Sequence, residues 1–265
     1  MTTSKTDNIH VFIGCDDLQP EAFKTCAYSI KRWTDNNVHI IPLAHRTLRE
    51  AGLFDRTWRV TESGTWVDER DGLPFSTTFS HLRFLTPKYF DYLGLFNDTN
   101  NRWAIFVDSD FIFLDNIRAL IENADEQGKP LSVVKHNYAG KGSVKMDARE
   151  QVNYNCKLWS SLMVFDMWKW NFDDEDLDVN KDTGRSLHTF DWYKPGLEGI
   201  GSLSESWNFI PDHSEKTTLH PSAIHFTEGT PLHKGYEGVR YGELFKQAYQ
   251  GMLAERARRV NDGLS

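Results

Sequence analysis

Residues 103–115 read WAIFVDSDFIFLD: an apolar run, two aspartates one residue apart, and an apolar run again. Continuous apolar runs of this kind mark strands covered on both faces, which is the habit of parallel sheets flanked by helices. The stretch therefore reads as a buried strand whose carboxyl end delivers Asp108 and Asp110. In extended chain, residues i and i+2 project to the same side, so the two carboxylates can share one point.

Upstream, IHVFIG (9–14) reads as a second buried strand ending at Gly14, and PEAFKTCAYSIKRW (20–33) follows with apolar residues at helical spacing and Pro20 at the helix start. NVHIIPL (37–43) is another strand. STTFSHLRFLTPKYFDYLGLF (76–96) opens on capping residues and carries a helical stripe through Phe79, Leu82 and Phe84 or Leu85 until Pro87 interrupts it. Strands alternating with helices imply βαβ units and a mostly parallel sheet, with ligands gathered at the carboxyl ends of the strands. Beyond residue 130 the pattern loosens to strand-like LSVVK and SLMVFD, an acidic loop NFDDEDLD, PSAIHFTEG, and an amphipathic helix in YGELFKQAYQGMLAERARRV. No repeat and no linker divides the chain, so one domain is expected over 1–265.

Composition narrows the function classes. The net charge of -8 disfavours non-specific nucleic-acid binding, which needs a concentrated basic face. Cys15, Cys26 and Cys156 are odd in number and widely spaced, which points away from a disulfide framework or cysteine-based zinc site and toward a reducing cytoplasm. The N-terminal apolar stretch is too short for a signal peptide or a transmembrane segment. Aromatics reach 13%, enough to fill a core and also to supply flat stacking faces.

Two carboxylates held close repel unless a cation lies between them. Hard oxygen ligands suit Mg²⁺ or Mn²⁺, ions that leave positions open for water and phosphate oxygens. One aspartate capping a turn with the other solvated is the alternative. Around this pair the chain resembles the retaining glycosyltransferases of family 8. IFVDSDFIFLDNI is similar to their DxD strand, VFIGCDDLQPEAFKTCAYSI to their opening strand, loop and helix, and STTFSHLRFLTP to their arginine-bearing helix. NCKLWSSLMVFD, LSESWNFIP and AIHFTEGTPLHKGY resemble three later segments in family order.

The resemblance implies a GT-A fold, a Rossmann-like α/β sheet, with a nucleotide-binding part over about 1–135 and an acceptor and sugar part over about 136–265. It implies Asp108, Asp110 and His225 as ligands of Mn²⁺ (or Mg²⁺), and an imidazole ligand favours manganese. Gly14 and Asp16 are expected to line the base pocket, with an ordinary strand-to-helix turn as the alternative there and at Asp17. Ser109 and Arg83 are expected to touch the nucleotide, an exposed salt bridge being the alternative for Arg83. The family commonly reads HxxGxxKPW near its C-terminus, whereas Thr230, Pro231 and Leu232 stand here, so His233 or Lys234 would have to supply the diphosphate contact.

The activity so implied is transfer of a hexosyl group from a nucleotide sugar, a UDP-sugar, to a saccharide or other hydroxyl acceptor, with retention. Asp191, between Phe190 and Trp192, is the candidate carboxylate beside the anomeric carbon; an aspartate in a helix-end turn is its alternative. Trp207 and Asn208 offer a stacking face and an amide for the sugar, or fix a turn against the core. Ser160 and Ser161 leave room for the sugar, or simply begin a strand. Apolar-DxD also opens haloacid-dehalogenase-type phosphatases, with the first aspartate as nucleophile, but there the pair lies near the N-terminus and Thr or Val stands where this chain has Ile112. A non-catalytic nucleotide-sugar-binding module is the third reading.

Overall fold

The computed structural model describes residues 7–16, 19–137, 156, 158–211, 213–214 and 220–262, and the backbone of 144–145 and 149–150. Asp17 and most of the loop 137–151 lie outside the described residues. The strands, in chain order, are β1 (Asn8–Gly14), β2 (Val38–Leu43), β3 (Trp58–Val60), β4 (Trp66–Asp68), β5 (Pro74–Phe75), β6 (Asn101–Val107), β7 (Phe111–Phe113), β8 (Leu131–Val133), β9 (Val144–Lys145), β10 (Arg149–Glu150), β11 (Leu162–Asp166), β12 (Gly201–Ser202) and β13 (Ala223–His225). The helices are α1 (Pro20–Lys31), α2 (His45–Glu50), α3 (Thr86–Tyr92), α4 (Ile117–Gln127), α5 (Gly184–His188) and α6 (Gly242–Asn261).

A central sheet runs in the order β12-β8-β11-β6-β1-β2. β1 pairs parallel with β2 and β6, and β12 with β8, while β11 is antiparallel to both β6 and β8. The sheet is thus parallel but for β11, and it draws strands from both halves of the chain. Side chains alternate between two apolar layers: Phe12, Ala104, Phe106, Met163 and Phe165 face one, and Val11, Ile13, Ile105, Val107, Leu162 and Val164 the other. The second layer is closed by α1 and α4 through Cys26, Ile30, Ile117, Leu120 and Ile121. The first is closed by Phe84 and Phe90 and by Leu187, Phe190 and Trp192. Two-sided cover is why these strands read as unbroken apolar runs.

WAIFVDSDFIFLD is not one strand. β6 ends at Val107, residues 108–110 turn, and β7 leaves the central sheet to pair antiparallel with β13, with Phe111 opposite His225 and Ile112 opposite Ile224. Pro87 likewise does not interrupt a helix. It lies in the first turn of α3, where its missing N–H leaves no bond unmade, and the stripe before it is a 3₁₀ turn over Leu82–Leu85. The stretch 58–75, which carries no clear periodicity, forms the three-stranded sheet β3-β4-β5. Helix α6 buries Phe245 and Ala248 against Ile112, Ile224 and Phe226. It approaches α1 so closely at Gly251 that a Cβ there would sit 2.3 Å from Tyr28 Oη.

Candidate active site

The turn at 108–110 opens where β6 and β11 meet, and the β7–β13 register brings in a residue more than a hundred positions away. One oxygen each of Asp108 and Asp110 and a ring nitrogen of His225 lie within 4.8 Å of one another. His225 is 1% exposed, and its ring stacks on Phe111 with centroids 4.2 Å apart. Beneath the turn, burial raises the Cys26 thiol pKa, as do the nearby Asp110 and Asp108.

Proton positions around His225 follow from one backbone carbonyl. The Leu158 oxygen accepts from the Ser161 hydroxyl at 2.6 Å, which commits that hydroxyl's only proton. Ser161 Oγ must then accept from Asn208 Nδ2, 2.9 Å away, and this fixes which end of the amide is oxygen. Asn208 Oδ1 faces His225 Nδ1 at 2.9 Å, so Nδ1 carries a proton. The other ring nitrogen, Nε2, stands 3.3 Å from Asp110 Oδ1. In neutral imidazole that nitrogen is a lone pair pointed at a carboxylate, an arrangement that needs a positive charge between them. A divalent ion or a proton satisfies it, and the Asp108, Asp110 and His225 donor set fits a divalent metal ion.

Arg83 is buried, not exposed. Its Nη2 lies 3.0 Å from Asp108 Oδ1 and its Nη1 donates to Asp108 Oδ2 at 3.3 Å and to the Ser160 carbonyl at 3.1 Å. Phe79 and Phe106 cover the guanidinium, 5.7 and 5.2 Å from its carbon to the ring centroids. Two carboxylates against one guanidinium leave one net negative charge, which suits a divalent ion shared with phosphate. Ser160 Oγ lies 2.9 Å from His188 Nδ1, extending the polar line to α5. Ser109, between the two aspartates, is buried as well.

The remaining candidates have environments of their own. A Cβ on Gly14 would lie 2.5 Å from the Phe79 ring, so the space its hydrogen leaves is taken by the chain's own phenylalanine. Asp16, buried, accepts from the Thr78 backbone at 3.3 Å. Trp207 is a core residue, 4% exposed and packed near Phe113, and presents no open stacking face. Asp191 is exposed after the left-handed residue Phe190 (φ 60°), close enough to Cys156 to raise its thiol pKa after burial has done so. Lys234 is exposed, while His233 Nδ1 lies 3.0 Å from the Thr230 hydroxyl. Sequence reasoning did not single out His188. A lone histidine in a polar segment carries no spacing signal, and only the folded contact with Ser160 reveals it.

No family model matches the sequence. Protein CDI of Arabidopsis thaliana is 33% identical over 248 residues, covering 92% of this chain and 86% of that protein. Among solved structures, the galactosyltransferase LgtC in complex with donor and acceptor sugar analogues superposes with a TM-score of 0.54 over 92% of this chain and 96% of its own, at 11% identity. The glycosyltransferase GlyE of Streptococcus pneumoniae TIGR4 gives 0.53 over 96% of this chain at 13% identity, and this chain spans 64% of its length. At these identities the likeness establishes the fold, that of GT-A glycosyltransferases.

Proposed function

Because the chain belongs to the family of Arabidopsis Protein CDI and carries a GT-A fold, we propose that it is a metal-dependent glycosyltransferase. In this reading it moves a hexosyl group from a UDP-sugar to a hydroxyl acceptor with retention of configuration. The observation that carries the proposal is the His225 Nε2 lone pair, fixed by the Leu158–Ser161–Asn208 relay and aimed at Asp110. Asp108, Asp110 and His225 would hold a divalent ion, which would supply Lewis-acid neutralisation of the charge on a departing diphosphate.

The chain's own residues supply the rest. Asn208 holds His225 in the tautomer that presents Nε2. Arg83 grips Asp108 from beneath and, being buried, serves as its positioning partner more than as a direct phosphate contact. The turn of Ser160 and Ser161 places small buried side chains beside Arg83 and Asn208, and Asp191, exposed, is the carboxylate available to a bound sugar. Lys234 lies on the exposed segment after Pro231, where it offers a point charge to the diphosphate. The phosphatase alternative is weakened by position: Asp108 follows β6, well into the chain, whereas that family carries its nucleophile near the N-terminus.

Calorimetric titration of the full chain with UDP tests the reading. UDP is expected to bind only with Mn²⁺ present, and Asp110→Ala to abolish the binding. Binding indifferent to Mn²⁺ and to that substitution would overturn the assignment. UDP-sugar binding with neither hydrolysis nor transfer across many acceptors would make the chain a binding module.

A further inference from the structure

A second group of side chains with metal-ligand chemistry stands apart from the aspartate turn. One ligand atom each of His136, Glu205 and His213 lies within 4.8 Å of the other two. His136 follows β8 as the chain leaves the central sheet, Glu205 opens the 3₁₀ turn 205–208, and His213 comes shortly after that turn. The His136 side chain is 1% exposed and that of Glu205 31%.

His136 and Glu205 do not satisfy one another. His136 Nδ1 and Glu205 Oε1 are 3.8 Å apart, beyond hydrogen-bond reach. His136 Nε2 is buried without a hydrogen-bond partner. The two imidazoles meet at 71° with centroids 6.1 Å apart, edge-on rather than stacked. An imidazole nitrogen and a carboxylate oxygen too far apart to hydrogen-bond, with a second imidazole nitrogen within one ion's reach of both, are what a bound cation resolves, with ligand bonds of about 2.0–2.2 Å.

We propose that His136, Glu205 and His213 form a second cation site, selective for Zn²⁺ and its borderline neighbours over Mn²⁺ and Mg²⁺. Two imidazoles and one carboxylate are a nitrogen-rich set, and three protein ligands leave a fourth position for water. The turn 205–208 carries Glu205 at its start and Asn208 at its end, and the Asn208 backbone lies against the His136 ring. An ion here therefore fastens the turn that sets the His225 tautomer, and occupancy of the second site steadies the first.

The test uses the full chain, stripped of metal by a chelator, with Asp110→Ala to disable the other site, and titrates it with Co²⁺. One equivalent is expected to give the intense visible absorption of a four-coordinate cobalt centre, which Zn²⁺ then displaces. Glu205→Gln and His213→Gln, both at partly exposed positions and checked for folding by circular dichroism, are each expected to weaken Zn²⁺ binding by more than about tenfold. Absence of the four-coordinate spectrum, or a spectrum that survives both substitutions, overturns the proposal.

Discussion

Asn208→Ala isolates the relay that orients His225. In the folded chain Asn208 is fully buried, donating to Ser161 and accepting from His225 Nδ1. Truncation leaves the Leu158–Ser161 bond intact but strips His225 Nδ1–H of its acceptor in a site closed to water, at a cost of about 1–3 kcal/mol. For a chain of this size each kcal/mol lowers the melting temperature by about 2–4 °C. The larger effect concerns the ion. Without an acceptor at Nδ1 the proton is free to move to Nε2, and loss of such an orienting partner typically weakens metal binding by about 10- to 100-fold, or about 1.4–2.7 kcal/mol. Asn208→Asp separates the two effects. It retains an acceptor for His225 and should keep most of the Mn²⁺ affinity, yet it sets a second oxygen against Ser161 Oγ and the Leu158 carbonyl and so lowers stability. Mn²⁺ titration by calorimetry and thermal unfolding, run on all three proteins, measure the two quantities. A folded Asn208→Ala protein with wild-type Mn²⁺ affinity would refute the relay.

Arg83→Met removes one partner of a buried ion pair, which costs about 3–5 kcal/mol, while the charge at the Asp108–Asp110 pair becomes more negative; Mn²⁺ should therefore raise the melting temperature more in this variant than in the wild type, and an equal rise would count against the charge argument. Gly14→Ala drives a Cβ into the Phe79 ring and should cost about 1–3 kcal/mol in chemical denaturation, and Phe79→Leu in the same chain should recover part of it. His10, stacked on His39 and buried, has a pKa lowered to about 4, mainly by burial, then by His39 and against Asp98. The unfolded state therefore binds the extra proton first, and stability is full above about pH 6.5 and falls as pH drops toward 4, by at most about 3 kcal/mol for this group. His10→Gln should flatten denaturation midpoints across that interval, and an unchanged slope would exclude His10 as their source.

The sheet was legible because β1, β6 and β11 are covered on both faces and so read as apolar runs without alternation. The aspartate pair announced itself by interrupting one of those runs. The interruption's meaning was not legible: WAIFVDSDFIFLD keeps its apolar character on both sides of a turn that moves the chain into another sheet, and hydrophobicity records burial without recording which neighbour provides it. Arg83 shows the same limit, since a guanidinium in an apolar stripe is explained only by Asp108, 25 residues away in sequence. Trp207 and Asn208 are adjacent, yet one joins the core and the other reaches His225, a division decided by the 3₁₀ turn that carries them. His136, Glu205 and His213 have no fixed spacing at all and meet through loop geometry.

Leu158 holds φ at 70°, an uncommon conformation for a residue with a side chain, and its carbonyl anchors the relay to His225. The relay is therefore heritable only as a unit. Replacing Ser161 alone with alanine lets the Asn208 amide turn over, and replacing Asn208 alone frees the imidazole proton, so each substitution changes what the other position tolerates. Positions 158, 161, 208 and 225 should drift together among relatives that keep the ion, with glycine or asparagine the cheapest substitutes at 158. Such epistasis is a record that a set of related sequences can be searched for directly.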